Sequence, residues 1–374
     1  MIYLDNAATT KVNNQVLKEM LPFFTENYGN PSASHHFGGM AKKAVEKARS
    51  YCAELIGAQP EEIYFTSGGT ESDNTALFSV HEGSSVITST TEHHAVLSPC
   101  KRLETNGCHV TYLKVGSEGL ISIDELHKAI KPDTFMVSIM TANNELGTIA
   151  PVSDIGKICR ERNIIFHTDA VQAFGHIPID VNAMNIDLLS ASGHKLGAPK
   201  GVGLLYVRKG VDIPPLLLGG GQERGFRSGT LNVPSIVGLG EAARLAKLNM
   251  EEHFKKECDL RDHLITRMIN EISGVRLNGS PKNRLPGNAN FTIENIDAAE
   301  LMQLLAGDGI FISTGSACSS HDSKPSHVLT AIGLSEKDAG SSIRITLNYE
   351  NTLDDINITV EKIKGFVEAL RILG

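Results

Sequence analysis

No run of basic residues occurs in this sequence, and 35 Lys and Arg against 43 Asp and Glu leave a formal net charge of −8. That argues against nucleic acid or an anionic membrane as the main partner, since both recruit proteins through clustered cations. Nor is there an apolar run near the ~20 residues that span a bilayer. The best, Ile213-Pro-Pro-Leu-Leu-Leu218, is broken by prolines. The opening residues, Met1-Ile-Tyr-Leu-Asp5, have neither the basic nor the apolar region of a secretory signal. A soluble, cytoplasmic protein is expected. The six cysteines, Cys52, Cys100, Cys108, Cys159, Cys258 and Cys318, include no C-x-x-C pair. A chain of 374 residues, 41% of them hydrophobic, needs no disulfide staples, and a reducing compartment suits it. Cys52 and Cys159 fall on the apolar faces of predicted helices as buried fillers.

What the chain does have is length for a large core and two subdomains, and a regular alternation of element types. Short apolar or β-branched runs (Glu62–Phe65, Ser85–Thr88, His109–Leu113, Phe135–Ile139, Ile164–Thr168, Ile186–Ser190, Gly203–Val207) are interleaved with helical periodicity at Ala41–Leu55, Ile123–Ile130 and Asp154–Arg162. The pattern predicts an α/β fold, a mainly parallel sheet covered by helices on both faces. Ligands in such sheets collect at the carboxyl ends of the strands. A long helix is predicted from Pro234 to about Ile272. After it, strands at Ala289–Ile293, Ile310–Ser313 and Ser342–Leu347 and helices at Ala298–Leu305 and Leu353–Ile372 read as a smaller α+β unit.

Three segments at strand ends carry chemistry. Phe65-Thr-Ser-Gly-Gly-Thr-Glu-Ser-Asp-Asn74 is a small-residue turn opening a helix, where free N–H groups and the Thr70 hydroxyl suit a single phosphate; taken alone it is equally a plain capped turn. His167-Thr-Asp-Ala-Val-Gln172 ends a very apolar strand with Asp169, either a helix cap or the partner of a buried cation such as a pyridinium nitrogen. Gln172 is close enough in sequence to donate to a ring hydroxyl. Ser190-Ala-Ser-Gly-His-Lys-Leu-Gly-Ala-Pro-Lys-Gly201 places Lys195 in a small-residue loop between two core strands. A desolvated lysine there would hold an aldehyde as a Schiff base; the plain alternative is a solvated loop lysine. In Thr91-Glu-His-His-Ala95 one imidazole has the means to stack on a flat ring and move protons, whereas adjacent histidines seldom face one metal.

Phosphate turn, strand-end Asp and loop Lys, in that order, resemble the fold-type I pyridoxal-phosphate (PLP) enzymes. More specifically, the chain resembles the cysteine desulfurases of the NifS/IscS family. The resemblance runs nearly end to end: Tyr3-Leu-Asp-Asn-Ala-Ala-Thr9, Gly29-Asn-Pro-Ser32, Thr66-Ser-Gly-Gly-Thr-Glu71, Thr91-Glu-His93, Asn143-Asn-Glu145, His167 to Gln172, Ser192-Gly-His-Lys195, Gly219-Gly-Gly-Gln-Glu-Arg224, Arg227-Ser-Gly-Thr230, Ser313-Thr-Gly-Ser-Ala-Cys318 and Ser342-Ile-Arg344. Each motif is weak alone, and together, in the family's order, they are specific.

The resemblance implies an aspartate-aminotransferase-like fold: a large domain at 13–248 with a seven-stranded sheet, and a small domain from 1–12 and 249–374 carrying a cysteine loop at about 314–324. It implies a homodimer that converts L-cysteine to L-alanine. Lys195 would link the cofactor and shuttle a proton, Asp169 pair with the ring nitrogen, Gln172 meet the ring hydroxyl and His93 stack and act as acid/base. Gly69, Thr70, Ser192 and His194 would hold the phosphate, with Thr230 reaching the phosphate of the neighbouring subunit. Arg344 and Asn144 would grip the substrate carboxylate, Asn144 also touching the cofactor. Cys318, in a segment too small and polar to pack a core, would take the sulfur as a persulfide; the alternative is an idle thiol. The family's Gly-Asn-Pro-Ser-Ser is Gly29-Asn-Pro-Ser-Ala33 here. The chain ends at Gly374, directly after its last predicted helix, without the further tail often carried by members that dock an iron–sulfur scaffold. The acceptor is therefore open between a scaffold, a tRNA-thiolation enzyme and another carrier. Two rivals are a selenocysteine lyase or aminotransferase of the same class that leaves Cys318 unused, and a non-catalytic relative.

Overall fold

The β-branched and apolar runs pair into a seven-stranded sheet in the order Ile63–Thr66, Gly203–Val207, Leu188–Ser192, Ile165–Asp169, Thr134–Ser138, Ser85–Ser89, His109–Leu113. The computed structural model on which this rests describes residues 1–314 and 325–373; Cys318 and its loop lie outside the described residues. Gly203–Val207 runs antiparallel to both neighbours, and the other contacts in the sheet are parallel. Central strands are apolar on both faces because both faces are covered. Ile87, Val137, Phe166, Leu189 and Leu204 point to one core, with the helices His36–Leu55 and Val152–Arg162 and the first half of Val233–Glu271. The alternate residues Val86, Met136, Leu188 and Leu205 point to the other, with Gly69–Leu77 and His94–Thr105.

Beyond residue 250 a four-stranded antiparallel sheet (Ser313–Thr314, Ser342–Thr346, Asn288–Ile293, Val275–Asn278) forms a separate core with Ala298–Gly307, Leu353–Leu373 and the far half of the long helix, through Leu260, Leu264 and Met268. The start of the chain belongs with this core. Ile2–Tyr3 pairs in parallel with Ile310–Phe311, Leu4 is fully buried there, and the N–H of Ala7 donates to Thr346 Oγ1 at 2.9 Å. That stitching delivers Ala7 and Ala8 to the carboxyl ends of the central strands Ile165–Asp169 and Leu188–Ser192.

The predicted strand Ile310–Ser313 is two pieces. Ile310–Phe311 pairs with the N-terminus, whereas Ser313–Thr314 pairs with Ser342–Thr346, so the chain changes partner at Ile312. Val275–Asn278 and the helix His94–Thr105, which contains Pro99, were not legible from periodicity. Among the described residues no helix is long and apolar enough to cross a membrane.

Candidate active site

At the carboxyl ends of the parallel strands lies a cavity of about 260 Å³, and ten of the twelve expected site residues line it. They are Gly69, Thr70, His93, Asn144, Asp169, Gln172, Ser192, His194, Lys195 and Arg344. Thr230 does not line it and is exposed; Cys318 is outside the described residues.

Lys195 closes a 3₁₀ turn, Gly193–Lys195, directly after the strand Leu188–Ser192. The loop is pinned by Thr10, whose N–H and Oγ1 both donate to His194 O (2.8 and 3.0 Å) and whose Oγ1 accepts from Gly197 N at 2.8 Å. Lys195 Nζ donates to the carbonyls of Ala7 and Ala8, each at 2.7 Å. Gln172 Nε2 reaches the same Ala7 oxygen at 3.0 Å. The amine is thus held in the cavity by backbone from the opposite end of the chain.

Asp169, the last residue of its strand, is buried and accepts from the Val171 N–H at 2.9 Å. Burial raises its pKa and the nearby Lys195 charge opposes the rise. His93 caps the helix His94–Thr105, its Nδ1 accepting from Ala95 N at 3.1 Å. That bond assigns the ring proton to Nε2. Burial, with Lys195 and His94 adding to it, lowers the His93 pKa to about 4, so the ring is neutral at pH 7 and its face is available for stacking. His194 is likewise pushed down to about 4 by burial and the Lys195 and Lys200 charges, with Nδ1 3.2 Å from Thr9 Oγ1.

One end of the cavity is built for an anion. Gly68 opens the helix Gly69–Leu77 at φ 154° and ψ −178°, a conformation open to glycine alone. A Cβ on Gly69 would fall 2.6 Å from Val171 Cγ2, so only glycine fits beside the Asp169 turn. Gly69 and Thr70 in this first helical turn line the cavity together with Ser192 and His194, and the free N–H groups of a helix start suit an anion. The Ser67 N–H donates to Glu71 Oε2, and Glu71 receives both Nε and Nη2 of Arg227 (2.8 and 3.1 Å). This ties the anion cradle to the loop that carries Thr230. The same loop is anchored by a buried ion pair, Arg49 with Glu223, at 2.8 Å for each of two contacts.

A flat cationic ring with a phosphate arm and an aldehyde fits this donor set. The glycine cradle would take the phosphate and Asp169 a protonated nitrogen, with Lys195 lining the same cavity.

Arg344 enters from the small sheet and is buried. Its Nη2 donates to Asp5 Oδ1 at 2.7 Å and its Nη1 to Asn144 O at 3.0 Å, while Nε has no partner among the described residues. An arginine with an orphaned donor at a cavity wall has the chemistry to receive a carboxylate. Behind it, Glu145 accepts from Ser326 Oγ at 2.5 Å, and burial raises its pKa to about 7. Sequence reasoning passed over Asp5, the Ala7 and Ala8 carbonyls and Asp73, which also lines the cavity. All lie inside motifs quoted above; their partners are remote in sequence, and spacing carries no signal for that.

Residues 2–358 match the aminotransferase class-V family model. A cysteine desulfurase IscS from Methanosarcina thermophila is 50% identical over 99% of this chain and 93% of its own length. Another from Dictyoglomus turgidum is 48% identical over 100% of this chain and 96% of its own. A solved NifS-like protein superposes with a TM-score of 0.92 at 40% identity, covering 98% of this chain and 99% of the other. A structure titled "SspA in complex with cysteine" has a TM-score of 0.83 at 43% identity over 94% of this chain and 100% of its own.

Proposed function

The chain belongs to the class-V aminotransferases and is a PLP-dependent cysteine desulfurase, and from that premise we propose how its own residues divide the work. The reading is carried by one observation: Lys195, Asp169, His93 and Arg344, supplied by four separate segments, line a single cavity. When bound, the cofactor supplies an electron sink for bonds at the substrate's Cα and Cβ. Asp169 pairs with the ring nitrogen and His93 covers the ring as a neutral imidazole. Lys195 moves a proton at Cα, held in reach by the Ala7 and Ala8 carbonyls. Arg344 takes the substrate carboxylate, first through its unpartnered Nε and then through Nη2 as Asp5 yields.

The sulfur goes to Cys318. Its thiolate attacks the substrate sulfur; an S–S bond forms as the Cβ–S bond breaks. The electron pair of that bond stays on carbon, which takes up a proton and becomes the methyl of alanine, so no external oxidant is needed. The persulfide then passes to an acceptor protein of iron–sulfur assembly or tRNA thiolation in the cytoplasm. We further propose a homodimer, with Thr230 completing the partner's phosphate site. Exposed Phe24, Tyr28, Phe37, Met40 and Leu218, unusual on a monomer's surface, support it. The division into a large domain at 13–248 and a small one from 1–12 and 249–374 follows the two cores.

The test is alanine release from L-cysteine with a reductant, comparing wild type with Cys318→Ala and Lys195→Ala. The reading requires activity only in wild type. Equal activity in Cys318→Ala transfers the sulfur chemistry to another group.

A further inference from the structure

The cavity that holds Asp169 is lined by a second carboxyl that the chemistry above does not use. Asp73 is four residues into the helix that begins at Gly69, is 1% exposed, and shares the cavity wall with Asp169. Neither of its carboxyl oxygens makes a well-formed hydrogen bond among the described residues, and the nearby Ser190 hydroxyl only partly offsets the cost of its burial. The groups that face it are Ser190, His167, Asp169 and, farther off, Glu92. His167 Nε2 lies 3.6 Å from Asp73 Oδ1, beyond hydrogen-bond range, and its ring is already satisfied: Nδ1 by Ser138 Oγ at 2.8 Å and Nε2 by Ser190 Oγ at 3.1 Å. Burial also holds His167 well below the usual imidazole range, to about 3, so it offers Asp73 no positive charge. Glu92 accepts from Ser89 Oγ at 2.7 Å and from Met140 N at 3.1 Å, and points its hydrogen bonds elsewhere.

Two buried carboxyls side by side do not both ionise. Asp169 receives a backbone N–H and the Lys195 charge; Asp73 receives neither. We propose that Asp73 is a positioning residue that keeps its proton, leaving Asp169 as the single anion beneath the cofactor's ring nitrogen and offering its O–H to support that anion. A charged Asp73 would be a buried carboxylate with no positive partner beside it, a state that burial penalises heavily. A neutral one can donate its O–H to the neighbouring carboxylate. The proposal rests on Asp169 being the nitrogen's partner.

The test uses purified PLP-loaded protein and three readouts. At pH 7.5 the infrared difference spectrum of wild type minus Asp73→Asn should contain the carbonyl stretch of a protonated buried acid, and that component should persist in Glu92→Gln and Glu257→Gln. The pH titration of the bound cofactor's visible absorption should move by less than about half a unit in Asp73→Asn, because a neutral group replaces a neutral group. Cofactor retention on dialysis should fall roughly tenfold in Asp73→Ala, the worth of one hydrogen bond to a charged group, and recover in Asp73→Asn. An unchanged infrared band in Asp73→Asn overturns the proposal. So does a titration shift of about 1–3 units, the signature of a lost neighbouring charge. Retention in Asp73→Ala equal to wild type overturns the positioning role. Asp169→Asn separates the premise: unchanged retention and titration there would sink the Asp169 assignment itself, whatever Asp73 does.

Discussion

Arg344→Lys isolates substrate recognition from the rest of the chemistry. The guanidinium is held by Asp5 Oδ1 at 2.7 Å and Asn144 O at 3.0 Å, with Nε unpartnered among the described residues. A carboxylate can therefore engage Nε and Nη2 together as a fork, with Nη1 fixed behind. Lysine keeps the charge but offers one point contact. The substitution removes one charge-assisted hydrogen bond to the substrate, about 1.5–3 kcal/mol. That is roughly 10- to 150-fold in kcat/KM. Because the carboxylate is held alike in ground and transition states, the loss should fall on KM with kcat within a few-fold. Steady-state alanine release over a range of L-cysteine concentrations measures both, and the cofactor's absorption spectrum should be unchanged. A KM within twofold of wild type would refute the carboxylate role. A bleached spectrum would instead place Arg344 in the cofactor's hold.

Three other outcomes follow from particular contacts. Gly69→Ala puts a methyl against Val171 Cγ2, so cofactor retention should drop while Gly69→Ala/Val171→Ala restores it; failure of the double variant to recover would show that the cradle needs glycine for another reason. Glu257 is buried and its pKa is raised from 4.5 to about 8; between those pH values the folded state binds the extra proton, so the group's contribution to stability declines as pH rises. Relative to Glu257→Gln, wild type should lose up to about 1.4 kcal/mol per pH unit across that window, read from denaturant melts at pH 5, 7 and 8. Removing one member of the Arg49–Glu223 pair, whose side chains are 3% and 1% exposed, leaves a buried charge unpaired. Glu223→Gln should cost about 3–5 kcal/mol, roughly 4–6 °C in Tm for a chain of this length, and Arg49→Met/Glu223→Leu should be milder than either single change.

Lys195, Asp169 and His93 were legible because each follows a strong apolar run, and strand ends in a parallel sheet converge on one place. Six of the seven strands of the large sheet needed no tertiary information beyond that, and the seventh, Gly203–Val207, was visible as a run but not as the antiparallel one. What periodicity does not encode is contact across the chain. Asp5 meets Arg344 over 339 positions, and Ala7 meets Lys195 over 188. Asp73 reads as an ordinary polar residue in a helix's second turn until the fold sets it beside Asp169. Pro99 disguised the helix at His94–Thr105, and the split of Ile310–Thr314 between two sheets depends on the N-terminal strand arriving at one half only.

In the proposed reaction sulfur leaves L-cysteine onto Cys318 while the cavity around Lys195 holds the substrate. Peptide mass spectrometry after a single exposure to L-cysteine, without reductant, tests it directly. One added sulfur atom is expected on the peptide bearing Cys318, absent in Lys195→Ala, and matched by one equivalent of alanine. Alanine formed with that peptide unmodified, or the added sulfur found on Cys100 or Cys258 instead, would contradict it.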